Sequence, residues 1–413
     1  MSEAIQKNAR GLDENRIREI ARIASERIQK KHIGCFTGLD KPLFLISEQY
    51  PGLWLEHAYD AVFYASMKPE YVYLAENTVN FFIDRQTEDG QLPFAVMRDG
   101  QVRYSQIQEC VSFYSLCIEV YRMNRDAALL ARAYESGKKW DNWLRRHRMT
   151  TGRGLVEMFF GYDTGHDNSG RLEGMACPGN YCMDGVEQNA ATLPPDDGVT
   201  PILAVDMNAN LYGNERALAE MARLLGRPDE AAAWETSAKA LKQKLFEHCF
   251  DERDAFFYDV DRNGVKRRYR SSTIFHLFME KVLDPEEDSA LIERVYREHI
   301  KNPAEFWTPY PFPSMAVNDP SCARHVDSNC WGYYTMGLIV LRCTRWMDAY
   351  GWSGDFDRVC EAWLEAWTRQ FDTLPLGQEI DPMTGAATSA SPWYSSGMLS
   401  YLYAAHRLGI RPM

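Results

Sequence analysis

Residues 161–171 read GYDTGHDNSGR, which sets two aspartates, a histidine, an asparagine, a serine and an arginine among three glycines directly after the apolar run EMFF. Such a concentration of polar groups in one loop is suited to binding a polar ligand or moving a proton. Other stretches add aromatic rings to the same mixture: YPGLWLEHAYD at 50–60, EDGQLPF at 88–94, FWTPYPFPSM at 306–315 and GQEIDPMTG at 377–385. Sugars call for this combination, because their C–H faces stack on aromatic rings while their hydroxyls need carboxylate, amide or guanidinium partners. Breaking a glycosidic bond further requires two carboxyl groups, one protonated to assist the leaving oxygen and one ionised to act as base or nucleophile. Asp167 and Glu379 are the candidate pair. Several of these groups also have plain structural readings. Asp and Asn beside Gly serve turns and caps, and Glu56 and Asp60, four apart on one helical face, equally suit a solvated stripe.

The elements that must position these loops are helical. Apolar residues recur at helical spacing from about 13–31, 56–67, 71–87, 107–123, 126–147, 203–225, 228–247, 271–282, 285–299, 330–350, 354–371 and 392–408. The connectors alternate. Short ones (MKPE, MNRD, GRPD, LDPE and GWSGD) carry the Pro, Gly and Asp of tight helical hairpins, and the long ones hold the unusual composition. If successive helices pair antiparallel, all long loops gather at one end. The expected fold is therefore all-α: a closed (α/α)6 toroid of six helical hairpins, one domain over residues 1–413. No repeat of fixed period supports an open solenoid. FFYDVDRNGVKRRY, with Asn263-Gly264 at its centre, is expected to form a small β-hairpin with a type I′ turn, inserted as a decoration on the helices.

Composition narrows the partners. A formal net charge of −12 argues against nucleic acid and anionic membrane, and the polar N-terminal stretch has no apolar segment of a secretory signal or membrane span. A small carbohydrate and a cytoplasmic location are expected; oligomeric state is left open. The ten cysteines are spread through apolar runs without CxxC spacing, as reduced, mostly buried thiols would be. Cys177 and Cys182, five apart in ACPGNYC, are the exception, but no further ligand completes a zinc set. DVDRNG at 259–264 starts like a calcium loop yet has Arg270 at the twelfth position, where a bidentate glutamate is needed. No metal or other cofactor is expected. A serine hydrolase lacks its GxSxG elbow. His57 and His166 keep open a sugar epimerase or isomerase, with histidine as acid and base, and a non-catalytic sugar-binding protein is the third reading.

The chain resembles the trehalase-like (α/α)6 glycosidases, especially glycoside hydrolase family 63 with its bacterial mannosylglycerate and glucosylglycerate hydrolases, and more distantly the family 37 trehalases. The resemblance rests on WLEHAYD, RQTEDGQLPF, GYDTGHDNSGR, VDMNANLYGNERALAEMARLLGRPDEAAAW, FYDVD, FWTPYPFPSM, EIDPMTG and PWYSSGM, in that order along nearly the whole chain. It implies an inverting α-glycosidase. The aspartate of the GxDNS-type core, here Asp167, would be the general acid, and the glutamate before D-P-x-T-G, here Glu379, the general base. Inversion sets the two carboxyls roughly 6.5–9.5 Å apart, with Asp167 kept protonated by burial and nearby negative charge and Glu379 kept ionised. By the same resemblance Trp54, Glu56, His57, Asp60 and Gln91 line the sugar pocket. Tyr162, Asp163, His166, Asn168 and Arg171 surround the acid, Asp163 more as a support of the loop. Trp307 and Tyr310 wall the leaving-group side, and Trp393 and Tyr394 close the far rim. The chain departs from the family pattern at Leu55 and Glu56, where a tryptophan is common, at Gly170, where proline is common, and at NCWGYYTMG (329–337), which replaces a W-R-G-P-x-W run. Those departures leave the pair in place and change the pocket wall.

Overall fold

The computed structural model describes residues 11–104, 107, 111–159, 163–166, 168–173, 175, 201–324, 331–388 and 391–410. Asp167, Tyr162, Cys177 and Cys182 lie outside them. Thirteen α-helices occur among the described residues: α1 Glu14–Arg27, α2 Ala58–Met67, α3 Val72–Asp84, α4 Phe113–Asn124, α5 Ala127–His147, α6 Val205–Leu224, α7 Pro228–Cys249, α8 Ile274–Met279, α9 Ser289–Val295, α10 Pro320–Arg324, α11 Gly337–Arg342, α12 Ser353–Gln370 and α13 Ser395–Arg407. Local sequence explains their ends. The Asp13 carboxylate accepts the Arg16 N–H at 3.0 Å to cap α1, which buries Ile17, Ile20, Ala21 and Ala24 on one face. Asp126 caps α5 in the same way. Between α6 and α7, Gly226 takes φ +72° and Pro228 opens the next helix, so the GRPD connector turns the chain within four residues.

The helices fall into two kinds. Helices α2, α6, α8, α11 and α13 bury nearly every residue, as members of an interior layer must. Helices α1, α5 and α12 are one-sided, with apolar stripes facing inward and charged faces outward. The interior helices touch in succession: α2 packs on α4, α4 on α6, α6 on α8, and α13 on both α11 and α2. Phe275 of α8 stacks at 5.5 Å on Trp346, which follows α11, and so continues the series. Behind them, α5 and α7 pack on α6, and α1 and α12 on α13.

Short strands lie in the connections: β1 Ile33–Gly34, β2 Leu43–Phe44, β3 Gly52–Trp54, β4 Ala95–Met97, β5 Val102–Arg103, β6 Glu157–Met158, β7 Ile202–Leu203, β8 Phe250–Asp251, β9 Phe256–Phe257, β10 Asp259–Val260, β11 Lys266–Arg267, β12 Thr335–Met336 and β13 Glu379–Ile380. They make five small antiparallel sheets, ordered β3-β4-β5, β11-β10-β7-β6, β12-β13, β1-β2 and β8-β9.

Each expected helical stretch contains a helix, with two informative differences. The stretch expected to be helical over 330–350 starts instead with β12, because Thr335 and Met336 pair with Ile380 and Glu379. The hairpin around Asn263-Gly264 forms, but only Gly264 of the two has positive φ, whereas a type I′ turn needs both. The Asp261 carboxylate reshapes the turn by accepting the N–H groups of Asn263 and Val265. Nor is the hairpin a mere decoration. Strand β10 pairs with β7, and its Asp259 points into the core beside Arg171.

Candidate active site

Strand pairing brings the long loops together. Thr335 pairs with Ile380 and bridges to Pro313, and Met315 bridges to Ser271. The Ser169 hydroxyl reaches the Met315 sulfur at 3.3 Å. The loop after Asp167 is thereby linked, through residues 313–315 and β12, to the strand that carries Glu379. The start of α13 closes against the other flank: Gly397 packs on the Gly377 carbonyl so closely that a Cβ there would collide with it, and Gly337 N–H donates to Gln378 O.

Glu379 is fully buried on β13. One carboxylate oxygen accepts the Thr388 hydroxyl at 2.8 Å and the other has no hydrogen-bond partner among the described residues. Burial pushes its pKa up to about 7, against the smaller opposing effect of the Thr388 bond. Its ionised form, the one a general base needs, therefore dominates only above about that pH.

Residues flanking Asp167 are held on both sides. Asp163 is buried, accepts the Phe159 N–H at 2.8 Å and lies 3.4 Å from the Arg148 guanidinium. Burial raises its pKa and Arg148 opposes the rise. Arg171 lies 3.0 Å from Asp206 and 3.4 Å from Asp259. His166 is packed between these anchors, its Nδ1 3.4 Å from Asp206 and its ring stacked on Trp331 with centroids 3.9 Å apart. Asn168 is half-buried beside it.

Glu56, His57 and Asp60 are all buried, which removes the solvated-stripe reading. Glu56 sits in a single 3-10 turn, Leu55–His57, ahead of α2. It approaches Arg342 at 3.4 Å and His57 at 3.6 Å. His57 Nε2 shares a hydrogen bond with the Tyr394 hydroxyl at 2.8 Å. Asp60 accepts the Ser395 hydroxyl at 2.5 Å, its other oxygen has no hydrogen-bond partner among the described residues, and burial lifts its pKa to about 7. Burial holds His57 and His166 well below the usual histidine range, helped by the charge of Arg342 at His57 and chiefly of Arg171 at His166, so both are neutral.

Other candidates have partners of their own. Gln91 donates to the Tyr104 carbonyl. Trp54 meets Tyr50 edge-on at 6.3 Å. Trp307 packs on Phe312 under Lys301, and the Tyr310 hydroxyl donates to Glu365 on α12 at 2.6 Å. Trp393 lies between Phe371 and the Arg27 guanidinium, on the side of α1, while its neighbour Tyr394 turns inward to His57.

Sequence reasoning passed over Arg342, the buried cation that acts on His57, Asp60, His166 and His276 together. Its signal was a lone arginine in the apolar run GLIVLRC. It also passed over Asp206, Asn208, Asn210 and Asn214 of α6, polar groups on the part of the helix, residues 205–215, that is buried on every side. Asn208 bonds Val156 N–H and O, and so fastens β6 to α6.

Among the described residues no group of three His, Cys, Asp or Glu is placed to hold a metal ion, and no helix is long and apolar enough to cross a membrane. Cys117, Cys249, Cys322, Cys343 and Cys360 are free and buried, as expected for reduced thiols, while Cys35 is exposed.

A helical domain with carboxylates buried among its connecting loops defines the class, a glycoside-hydrolase-like domain. The chain belongs to the family of mannosylglycerate hydrolase MGH1-like glycoside hydrolase domains, matched over residues 56–395. Its fold is similar to that of the GH63 mannosylglycerate hydrolase from Thermus thermophilus in complex with glucose (TM-score 0.71, 16% identity, covering 95% of this chain and 100% of that one). It is also similar to neutral trehalase from Saccharomyces cerevisiae (TM-score 0.66, 14% identity, covering 94% and 80%). An uncharacterised protein of Borreliella burgdorferi is 28% identical over 165 residues, which is 40% of this chain and 33% of that protein.

Proposed function

We propose that the chain is an inverting glycosidase for a small α-linked oligosaccharide or glycoside, acting as one (α/α)6 toroidal domain over residues 1–413, with Asp167 as general acid and Glu379 as general base. The observation that carries the reading is Glu379: a buried carboxylate with one oxygen fixed by Thr388 and the other without a hydrogen-bond partner, on a strand tied to the loop that holds Asp167. A base must keep an acceptor lone pair for water, and this oxygen does.

In the reaction Glu379 takes a proton from water as that water attacks the anomeric carbon, while Asp167 gives its proton to the departing glycosidic oxygen. The product has the opposite anomeric configuration, and both carboxyls are reset by proton exchange with solvent. The chain's contribution is orientation. Asp163–Arg148 and Arg171–Asp206–Asp259 fix the two ends of the acid's loop. The polar atoms that lack hydrogen-bond partners among the described residues, on His57, Asp60, Gln378, Ser391 and Ser396 as well as Glu379, match the needs of a polyhydroxylated ligand. The epimerase alternative would use His57 or His166, each of which is buried with one ring nitrogen lacking a hydrogen-bond partner among the described residues, and the test below separates it from hydrolysis.

The test is to incubate the protein with mannosylglycerate, glucosylglycerate, α-linked disaccharides and free hexoses and to follow anomeric protons by NMR. Release of a β-anomer from an α-glycoside is expected. First appearance of the α-anomer would contradict inversion, and isomerised free hexose would favour the epimerase.

A further inference from the structure

Trp331 has φ +66° and is buried. A bulky residue in the left-handed region is a steric outlier that persists only when its surroundings hold it there. Two contacts do so: the ring stack on His166 at 3.9 Å, and the Trp331 backbone N–H donating to the Met336 sulfur at 3.2 Å. His166 precedes the candidate acid in the chain, and Met336 is the residue paired across from Glu379. The indole thus fills space between the two halves of the site. Beneath it, Trp331, His276, Ser272, Ile339, Arg342 and Trp346 are among the residues lining a small, partly open space of about 10 Å³, room for about one water molecule.

We infer that Trp331 sets the inner limit of the sugar site, closing it above Arg342 and His276 so that the glycone is a single ring. This rests on the glycosidase reading. Replacing the indole by a small residue would join the space it fills to the cavity over Arg342 and His276, where the buried guanidinium and imidazole offer partners to the hydroxyls of a second ring.

Three variants are compared with wild type: W331G, which also relieves the backbone strain at positive φ; W331N, a small residue that tolerates that conformation should glycine fail to fold; and W331F, which keeps a ring. Two ratios are read. One is kcat/KM for p-nitrophenyl α-maltoside over the better of p-nitrophenyl α-glucoside and α-mannoside; the other is the affinity for maltose over that for glucose by calorimetry. W331G or W331N is expected to raise both at least about tenfold, a difference worth about 1.4 kcal/mol, and W331F to leave them within about twofold of wild type. An unchanged ratio in a folded W331G or W331N, with activity on all substrates falling together, overturns the inference. If no glycoside is cleaved by any form, the glycosidase reading fails, and the affinity ratio still decides whether Trp331 limits the site.

Discussion

Around Arg171 each buried carboxylate has a cation beside it: Asp206 at 3.0 Å, Asp259 at 3.4 Å and, further along the loop, Asp163 against Arg148. Around Glu379 there is a threonine hydroxyl and, among the described residues, no cation within 4 Å. Both regions bury negative charge, but the first neutralises it within the protein and the second leaves it to a proton or a ligand. A buried charge that is paired holds a shape; one left uncompensated has a movable proton near neutral pH. The contrast separates scaffold from chemistry, and the two regions should respond differently when broken.

The largest effect is expected where the proton moves. Glu379→Gln and Asp167→Asn should each lower kcat on natural glycosides by roughly 10²–10⁴-fold. Asp167→Asn should cost far less on fluoride or activated aryl glycosides, whose leaving groups need no protonation. Equal losses on both substrate types would remove Asp167 from the acid's role.

On the scaffold side the loss should appear as stability. Asp206→Ala removes one of the two carboxylates beside Arg171 and takes the carboxylate from beside His166, and removing one partner of a buried pair costs about 3–5 kcal/mol. Urea unfolding of the variant checks it. A cost below about 1 kcal/mol would mean that Asp206 is not needed to compensate Arg171.

The contrast also has a pH signature. The Glu379 pKa is raised by burial from 4.5 to about 7. Below pH 4.5 the group is protonated in both folded and unfolded states and costs nothing. Between 4.5 and 7 the folded state holds a proton the unfolded state has lost, so stability falls as pH rises, and the penalty stays above 7. The shift corresponds to about 3 kcal/mol. Glu379→Gln should accordingly be more stable than wild type at pH 8 by up to that amount and nearly equal to it at pH 4. A difference independent of pH would show that Glu379 is ionised in the folded protein at ordinary carboxylate pH.

Much of the fold is legible in the sequence. Helical spacing is a local property, so each expected helix was found, and the turn residues of GRPD marked a true turn. What sequence could not show was direction. Trp393 and Tyr394 are neighbours in one aromatic pair, yet the backbone turn at Trp393, φ +59°, sends one toward α1 and the other to His57. Tyr310 looked like a wall of the pocket, but Gly385 takes its ring and Glu365 its hydroxyl. Arg342 gave a signal only as a charge in an apolar helix, and its meaning depends on partners hundreds of residues away, such as Glu56.

The smallest predicted effect tests how finely Glu379 is tuned. The Thr388 hydroxyl donates to one carboxylate oxygen at 2.8 Å and favours the ionised form against burial. In Thr388→Ala that help is gone, the proton is held more tightly, and the acid limb of kcat/KM should move to higher pH by up to about one unit. Thr388→Ser keeps the donor and should leave the limb in place. Activity well above the limb should change little in either variant, because there Glu379 is ionised regardless. If Thr388→Ala instead lowers the plateau and leaves the limb where it was, the hydroxyl orients the base without setting its proton affinity, and the titrating group on that limb is another carboxylate, with Asp60 the first to examine.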